Sequence, residues 1–234
     1  MEQTKPIYLV IEGIDGAGKE TQTRLLKEYL KSIGKKVITQ SFPNYVSDSA
    51  KPVKMYLDGK LSKTADEINA YQSSVLFAVD RFCTMKEIQK TIDKDSVVVF
   101  DRYVSSNMLH QGGKIHDDKE LEKYLKWLEE FEFEVMKIPK PDKIFFLSVP
   151  PEITMKLIAE RKGLKSMTEK DIQESDENHL KNAFETGTKI SKMFGWEVID
   201  CVDHEKQYIR SKEDISKEYY FRNIKIFNLR RNIQ

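Results

Sequence analysis

The sequence has little cysteine and almost no net charge. Cys83 and Cys201 are the only cysteines among 234 residues, and they lie far apart. A disulfide framework and a cysteine-rich zinc site are therefore excluded, and the pattern is typical of a protein of the reducing cytoplasm. With 39 Lys and Arg against 38 Asp and Glu, the formal net charge is +1. Bulk charge therefore indicates neither a nucleic-acid partner nor a membrane surface.

Long hydrophobic runs are also missing. Runs such as Ile144–Leu147 are far too short to span a bilayer. Near the N-terminus the apolar stretch Ile7–Ile11 ends at Glu12, before the hydrophobic core of a signal peptide could form. We therefore expect no membrane partner and a cytoplasmic location.

The chain does contain an alternation of strand-like and helix-like segments. Five short apolar runs are predicted strands: Ile7–Ile11, Val37–Thr39, Val97–Phe100, Ile144–Leu147 and Glu197–Ile199. Predicted helices cover Lys19–Ile33 and residues 65–92, 117–136, 151–161, 171–194 and 211–226. This order predicts an α/β fold with a five-stranded parallel sheet, helices on both of its faces, and one domain over residues 1–234.

The turn after the first predicted strand is rich in glycine. It fits the start of a P-loop, Gly-x4-Gly-Lys, with a strand before it and a helix after it. In such a loop the backbone N–H groups form an anion nest, the helix N-terminus adds its positive end, and the lysine lies along the β- and γ-phosphates. The predicted fold is therefore the three-layer P-loop NTPase fold. The predicted ATP-binding residues are Gly13, Ile14, Asp15, Gly16, Ala17, Gly18, Lys19, Glu20 and Thr21.

The residue after the P-loop lysine departs from the usual pattern. That position normally carries a Ser or Thr whose hydroxyl ligates Mg²⁺, and here it is Glu20, with Thr21 after it. A carboxylate is also a suitable magnesium ligand. Glu20 therefore either holds the metal, directly or through water, or points away and leaves metal binding weaker.

Asp101 and Arg102 follow the third predicted strand. An acidic residue at the C-terminal end of a buried parallel strand beside a P-loop is a Walker-B-like arrangement, which predicts that Asp101 holds water around Mg²⁺. Arg102 is expected to face the same crevice with a guanidinium suited to bidentate phosphate binding. Lys19, Asp101 and Arg102 are therefore predicted catalytic residues.

Six blocks of residues resemble the thymidylate kinase family, whose members transfer a phosphoryl group from ATP to dTMP. In chain order they are Ile11–Lys19 with Thr21–Thr23, Phe42–Tyr45, Leu76–Arg81, Asp101–Asn107 with His110–Gly112, Pro141–Asp142, and Val149–Glu152. They cover most of the chain and become sparse after about Asp200. The resemblance implies dTMP kinase activity with Mg²⁺, dTMP and ATP as small-molecule substrates, and a homodimer of packed helices.

The resemblance also implies an acceptor site. Phe77 would stack on the thymine ring, and Arg81, one helical turn later on the same face, would contact its O4. Asp15 would contact the 3′-hydroxyl of the acceptor sugar, and Arg102 its phosphate. The other implied acceptor residues are Phe42 and Tyr45, which flank the acceptor, Asn107, which contacts the base in some members, and His110.

Two positions depart from the family pattern. The slot of His110 more often carries Tyr or Phe, which crowds the 2′ position of the sugar and disfavours ribonucleotides, whereas an imidazole is smaller and polar. Some members carry an arginine within the P-loop where this chain has Gly16, and members without it supply basic residues from a lid. The basic segment 161–170 is predicted to be that lid, a surface loop between two helices. Its candidate residues are Arg161, Lys162 and Lys165, with Arg161 the best suited catalytic cation because a guanidinium can bridge two phosphates.

The other histidines, His116, His179 and His204, are scattered and are predicted to be surface residues.

Two alternatives to a dTMP kinase stay open in the sequence. One is a P-loop kinase for another nucleoside monophosphate or a deoxynucleoside, and Phe77 with Arg81 is the feature that distinguishes it. The other is a non-catalytic ATP-binding protein, which the unusual Glu20 motivates.

Overall fold

The computed structural model of the chain describes residues 5–62, 64, 67–164 and 177–218, with the backbone alone at 161–164. Its main sheet has five parallel strands in the order β2–β3–β1–β4–β5. The strands are β1 (Ile7–Glu12), β2 (Lys36–Ser41), β3 (Ser96–Asp101), β4 (Lys143–Ser148) and β5 (Glu197–Asp200). The predicted five-stranded parallel sheet is confirmed. Two short antiparallel strands, β6 (Val202–Asp203) and β7 (Tyr208–Ile209), form a separate pair.

The register of the central strand brings the functional segments together. β1 pairs with β3 up to Ile11 opposite Asp101, and with β4 up to Glu12 opposite Phe146. Because all five strands run in the same direction, the segments that follow them meet at one edge of the sheet. The glycine-rich loop after β1 therefore lies beside the segment after β3, which begins with Arg102.

The helices are α1 (Lys19–Ser32), α2 (Lys51–Leu57), α3 (Ala70–Ile88), α4 (Val104–Ser106), α5 (Asp118–Glu129), α6 (Pro151–Leu164) and α7 (Glu177–Met193), and residues 212–218 are also helical. Two π-helical turns, Asn107–Gln111 and Glu130–Val135, follow α4 and α5. The sequence pattern does not predict α2 or these turns. The helix predicted from residue 65 begins at Ala70, because Asn69 and Gln72 form a capping box there.

The alternation of side chains along β1 explains the three layers. Ile7, Leu9 and Ile11 point to one face, where they pack in a cluster with Leu26 and Leu30 of α1. Val10 points to the other face, into a cluster built mainly by α3, α5 and the turn after α4. Since successive residues of a strand face opposite sides, a wholly apolar strand is covered on both faces.

The predicted lid differs from the structure at its start. α6 runs to Leu164, so residues 161–164 have helical backbone instead of the predicted loop. Arg and Lys are good helix formers, and no proline stops the helix at this point. Lys165 and the remainder of the lid lie outside the described residues. Within the described ranges, no helix has both the length and the apolar character needed to cross a bilayer.

Candidate active site

The P-loop is a short segment between β1 and α1 whose lysine points back into the loop. Lys19 is the first residue of α1 and 6% exposed, and its Nζ donates hydrogen bonds to the carbonyl oxygens of Gly13 and Ile14, each at 2.8 Å. Burial lowers the pKa of Lys19 to about 8. A bound polyphosphate would offer this ammonium stronger, negatively charged acceptors than the two carbonyl groups.

Gly16 in this loop lies directly against α6. Its φ is +82°, and a Cβ at this position would be 3.0 Å from the carbonyl oxygen of Thr154 and 3.1 Å from Cγ1 of Ile158. A side chain here would therefore need both a strained backbone and a shift of α6. The contact leaves no room for a side chain at this position of the loop.

A cavity of about 260 Å³ opens beside the P-loop, at the edge of the sheet where the strands end. All eight acceptor residues predicted from sequence line it, although they come from four separate parts of the chain. They are Asp15, Phe42, Tyr45, Phe77, Arg81, Arg102, Asn107 and His110. Asp101 also lines this space. The structure thus brings together residues that the sequence could only place in order.

Arg102 connects the cavity to the P-loop. It has a left-handed backbone conformation, with φ +67°, and its Nη2 donates to Oδ1 of Asp15. Burial opposes the charge on Asp15, but Arg102 and Lys19 outweigh it and hold the pKa of Asp15 well below its usual range. For Arg102 burial is likewise outweighed, by Asp15 and Glu12, which raise its pKa. Both groups are therefore charged at neutral pH, and a positive charge with a fixed position faces the cavity.

Arg81 forms a buried ion pair with Glu132, a residue that the sequence pattern does not single out. Nε and Nη2 of Arg81 donate to the two carboxylate oxygens at 2.5 and 2.9 Å, and Nη1 donates to the carbonyl oxygen of Tyr103 at 3.0 Å. The two side chains are 2% and 0% exposed. These bonds use three of the five N–H groups of Arg81, a residue that also lines the cavity. Asn107 also donates to Glu132, at 3.2 Å.

Aromatic rings form part of the cavity wall. Phe77 lines the cavity and meets Tyr56 edge to face, with ring centroids 6.2 Å apart. Phe42 is buried and packs against Phe100 and Tyr103. Tyr45 is 53% exposed at the cavity rim. A flat aromatic face and a charged guanidinium in one small space suit a ligand that combines a ring with a phosphate.

The family comparison agrees with this site. A family model described as thymidylate kinase matches residues 11–194. The chain belongs to the thymidylate kinase family. Similar curated proteins include the thymidylate kinase of Mycobacterium tuberculosis, 32% identical over 63% of this chain and 68% of that protein. The probable thymidylate kinase of Thermococcus kodakarensis is 33% identical over 76% and 84%, and the thymidylate kinase of Thermosipho africanus is 30% identical over 66% and 72%.

Membership of the thymidylate kinase family confirms the predicted enzyme class. The chain is a nucleoside monophosphate kinase, a phosphotransferase that uses ATP, and the predicted activity toward dTMP is the one that the family supports. Neither a kinase for a different acceptor nor a non-catalytic ATP-binding protein is favoured. The individual residue roles stay predictions.

A second, smaller cavity bears on the predicted metal site. It measures about 190 Å³ and is lined by Glu20, Asp101 and Thr23, among others. Within the described ranges, no group of three or more His, Cys, Asp or Glu side chains could hold a metal ion. The buried hydroxyl of Thr23 has no hydrogen-bond partner. Two carboxylates and an unsatisfied hydroxyl around one space fit a hard cation that takes its other ligands from water and phosphate.

Glu12 is a second buried carboxylate that the sequence pattern does not single out, after Glu132. It is fully buried at the end of β1 and accepts hydrogen bonds from the backbone N–H of Gly13, at 2.9 Å, and from the hydroxyls of Ser105 and Ser106, at 2.7 and 2.8 Å. It therefore fixes the start of the P-loop against α4. The available signal was a charged residue that ends an otherwise apolar strand.

The prediction for the histidines is wrong at one position. His116 and His204 are exposed, as expected, but His179 is 5% exposed and lies beside His110. Its α7 neighbours Leu180 and Ala183 are buried, so this face of α7 packs on the protein core. An isolated histidine in a charged stretch gives no sign of that packing.

Proposed function

We propose that this chain transfers the γ-phosphoryl group of ATP to the 5′-phosphate of dTMP, with ATP on the P-loop and dTMP in the 260 Å³ cavity. The observation that carries the proposal is that all eight predicted acceptor residues line this one cavity, Asp15 of the P-loop among them. The in-line transfer then takes place where the two binding regions meet, beside Asp15 and Arg102.

The transfer needs positive charge more than a general base. The attacking oxygen belongs to a phosphate that is already ionised at pH 7, so the obstacle is to bring two polyanions together and to stabilise the transferring group. Lys19 and the loop N–H groups would bind the β- and γ-phosphates of ATP. Arg102 would bind the phosphate of dTMP, with its guanidinium held by Asp15.

We assign base recognition to Phe77 and Arg81. Phe77 lies on the cavity wall and meets Tyr56 edge to face, and we assign its ring to stacking on the pyrimidine. The two N–H groups that Arg81 has left after binding Glu132 and Tyr103 suit a carbonyl acceptor such as O4 of thymine. Asn107 and the flanking residues Phe42 and Tyr45 complete this part of the site.

Glu20, Asp101 and Thr23 would hold Mg²⁺, directly or through water. Their shared cavity and the unsatisfied Thr23 hydroxyl support this assignment. When bound, Mg²⁺ neutralises charge on the β- and γ-phosphates. A further cation would come from the predicted lid, residues 161–170. Its candidates are Arg161, Lys162 and Lys165, which would supply the charge that Gly16 cannot carry.

The test is an acceptor panel with ATP and Mg²⁺. ADP formation is measured with dTMP, dUMP, dCMP, AMP and thymidine as acceptors. We expect the highest kcat/KM with dTMP, weaker turnover with dUMP, and little with the other three. A preference for AMP, dCMP or thymidine would reject the acceptor assignment, and ADP formation independent of any acceptor would reject the transfer itself.

We also propose that the protein is a homodimer. Tyr71, Val75 and Val79 are spaced four residues apart on α3 and are each 36–38% exposed, which leaves an apolar stripe on one helix face. Val75→Glu should convert the dimer to monomers in sedimentation-velocity experiments. Val135→Glu, the same change at an exposed valine away from α3, should not. A monomeric wild-type protein would contradict the proposal.

A cytoplasmic location is the last part of the proposal. It is supported by Cys83 and Cys201, which are both free thiols. Fractionation of the cells that make this protein should recover it with cytoplasmic markers, and recovery with an oxidising compartment would contradict the assignment.

A further inference from the structure

His179 and His110 form a buried pair next to the acceptor cavity. The two rings are nearly parallel, 13° apart, with centroids separated by 5.4 Å, and each side chain is 5% exposed. α7 can bring His179 this close because it packs backbone to backbone against the turn after His110. A Cβ at Gly113 would lie only 3.1 Å from the backbone nitrogen of Ala183.

The hydrogen bonds of the pair assign its tautomers. Arg102 is a donor only, so the 3.3 Å contact between its Nη1 and Nε2 of His110 requires an unprotonated Nε2. A neutral His110 then carries its proton on Nδ1 and donates it to Nε2 of His179, also at 3.3 Å. His179 must accept at Nε2, so its own proton lies on Nδ1. Both hydrogen bonds therefore run in one direction, from Arg102 to His110 and from His110 to His179. This direction follows because the guanidinium of Arg102 cannot accept a hydrogen bond.

These two hydrogen bonds change which atoms of His110 can interact with a ligand. Both of its ring nitrogens are occupied, one by Arg102 and one by His179. The part of the ring that lines the cavity is therefore carbon, and the imidazole behaves like the aromatic residue that other members carry at this slot. A sugar hydroxyl placed against it would lose its water and gain no hydrogen bond.

Burial keeps His110 neutral. The groups that face His110 are Asp15 and Lys19 from the P-loop and α1, Arg102 from the segment after β3, and His179 from α7. Burial lowers the pKa of His110 well below its ordinary value, and Arg102, His179 and Lys19 act in the same direction, against Asp15. A proton on Nε2 would place a donor against the guanidinium.

We propose that His179 is a positioning residue of the acceptor site: by accepting from Nδ1 of His110 it holds the His110 ring in the orientation that accepts from Arg102 and excludes a 2′-hydroxyl. This inference rests on the proposed function, since it takes the sugar and phosphate of dTMP to occupy the cavity beside His110 and Arg102. No contact between His179 and the substrate is required.

The test compares two neutral substitutions of similar size. In His179→Gln the amide oxygen can replace Nε2 as the acceptor, whereas His179→Leu has none. His179→Leu should raise KM for dTMP about tenfold, the effect expected for a lost hydrogen bond near a charged group, with KM for ATP unchanged. It should also reduce the preference for dTMP over ribothymidine 5′-monophosphate. His179→Gln should restore both values toward wild type, and equal defects in the two variants would overturn the proposal.

The same substitution made in a His110→Phe variant distinguishes a positioning role of His179 from a packing role. In His110→Phe the ring has no nitrogen for His179 to orient, so adding His179→Leu should change KM for dTMP and the sugar preference no further. If His179→Leu has the same effect in this background as in wild type, His179 acts by packing alone and the proposal is wrong.

The tautomer itself can be measured without turnover. The chain has four histidines, so their ring ¹⁵N signals in the ligand-free protein can be assigned by single substitutions. We expect His110 to be neutral and protonated on Nδ1 in wild type and in His179→Gln, and its Nδ1 signal to shift toward that of an N–H without a hydrogen-bond acceptor in His179→Leu. Protonation on Nε2 in wild type would overturn the proposal even if dTMP is the substrate. Failure of the acceptor panel with the expected tautomer present would instead reject the proposed function.

Discussion

The P-loop and the acceptor cavity are neighbours, but they are built in different ways. Lys19 of the P-loop bonds to carbonyl groups five and six residues away. In the cavity, Arg81 pairs with a residue 51 positions away, and Arg102 with one 87 positions away. One region is thus formed by a short continuous segment, and the other only by the packed core. Substitutions in the cavity wall should therefore affect folding as well as dTMP binding, whereas substitution of Lys19 in the P-loop should affect ATP chemistry alone.

The largest effect should come from the buried ion pair. Glu132→Gln leaves the charge of Arg81 buried without its counter-charge, which should lower the free energy of unfolding by about 3–5 kcal/mol in urea titrations. Glu28→Gln, in the exposed pair with Arg24, should change it by less than about 1 kcal/mol. The double variant Arg81→Met, Glu132→Leu should recover much of the lost stability, and a Glu132→Gln variant as stable as wild type would contradict the comparison.

The P-loop should show the opposite behaviour. Lys19→Ala removes the ammonium that binds the transferring phosphates and should reduce kcat by roughly 10²–10³, as for the loss of one group that stabilises a transition state. The dissociation constant for dTMP, measured by calorimetry, should stay close to wild type because Lys19 is not part of the cavity wall. Equal losses in turnover and dTMP binding would show that the two regions are not separate.

Phe77→Ala tests the aromatic part of the wall. Loss of stacking should weaken dTMP binding by roughly 1–3 kcal/mol, by analogy with base stacking on aromatic side chains at nucleic-acid sites. The affinity for ATP should be unchanged, since Phe77 is on the acceptor side. An unaltered dissociation constant for dTMP would assign the ring to core packing with Tyr56.

The last effect is a pH dependence that should be confined to the P-loop. Burial lowers the pKa of Lys19 to about 8, so the ammonium is lost as the pH rises through that value, and kcat/KM for ATP should fall by up to about tenfold per pH unit above it. Between this pKa and the ordinary lysine value the unfolded chain binds more protons, so this group makes the fold more stable as the pH rises. Activity should therefore fall while thermal stability does not, and a flat kcat/KM for ATP from pH 7 to 10 would contradict the assignment.

The same difference between local and long-range contacts explains which sequence-based predictions are confirmed. All five strands and the position of α1 are predicted, because apolar runs and the glycine-rich turn are local signals. The lid prediction differs at residues 161–164, where the helix continues, and the surface prediction for His179 is wrong. Glu12 and Glu132 are missed because a charged residue in the sequence is normally assigned to the surface, and only its partners make burial tolerable.

The sequence by itself determined the parallel sheet, the P-loop and the order of the acceptor residues, since each depends on side chains within a few positions of one another. Only the tertiary structure decided that Arg81 meets Glu132, that Glu12 meets Ser105, and that His110 meets His179, across 51, 93 and 69 residues. The physical reason is that burying a polar group is favourable only with a matched partner, and the fold of the whole chain chooses that partner.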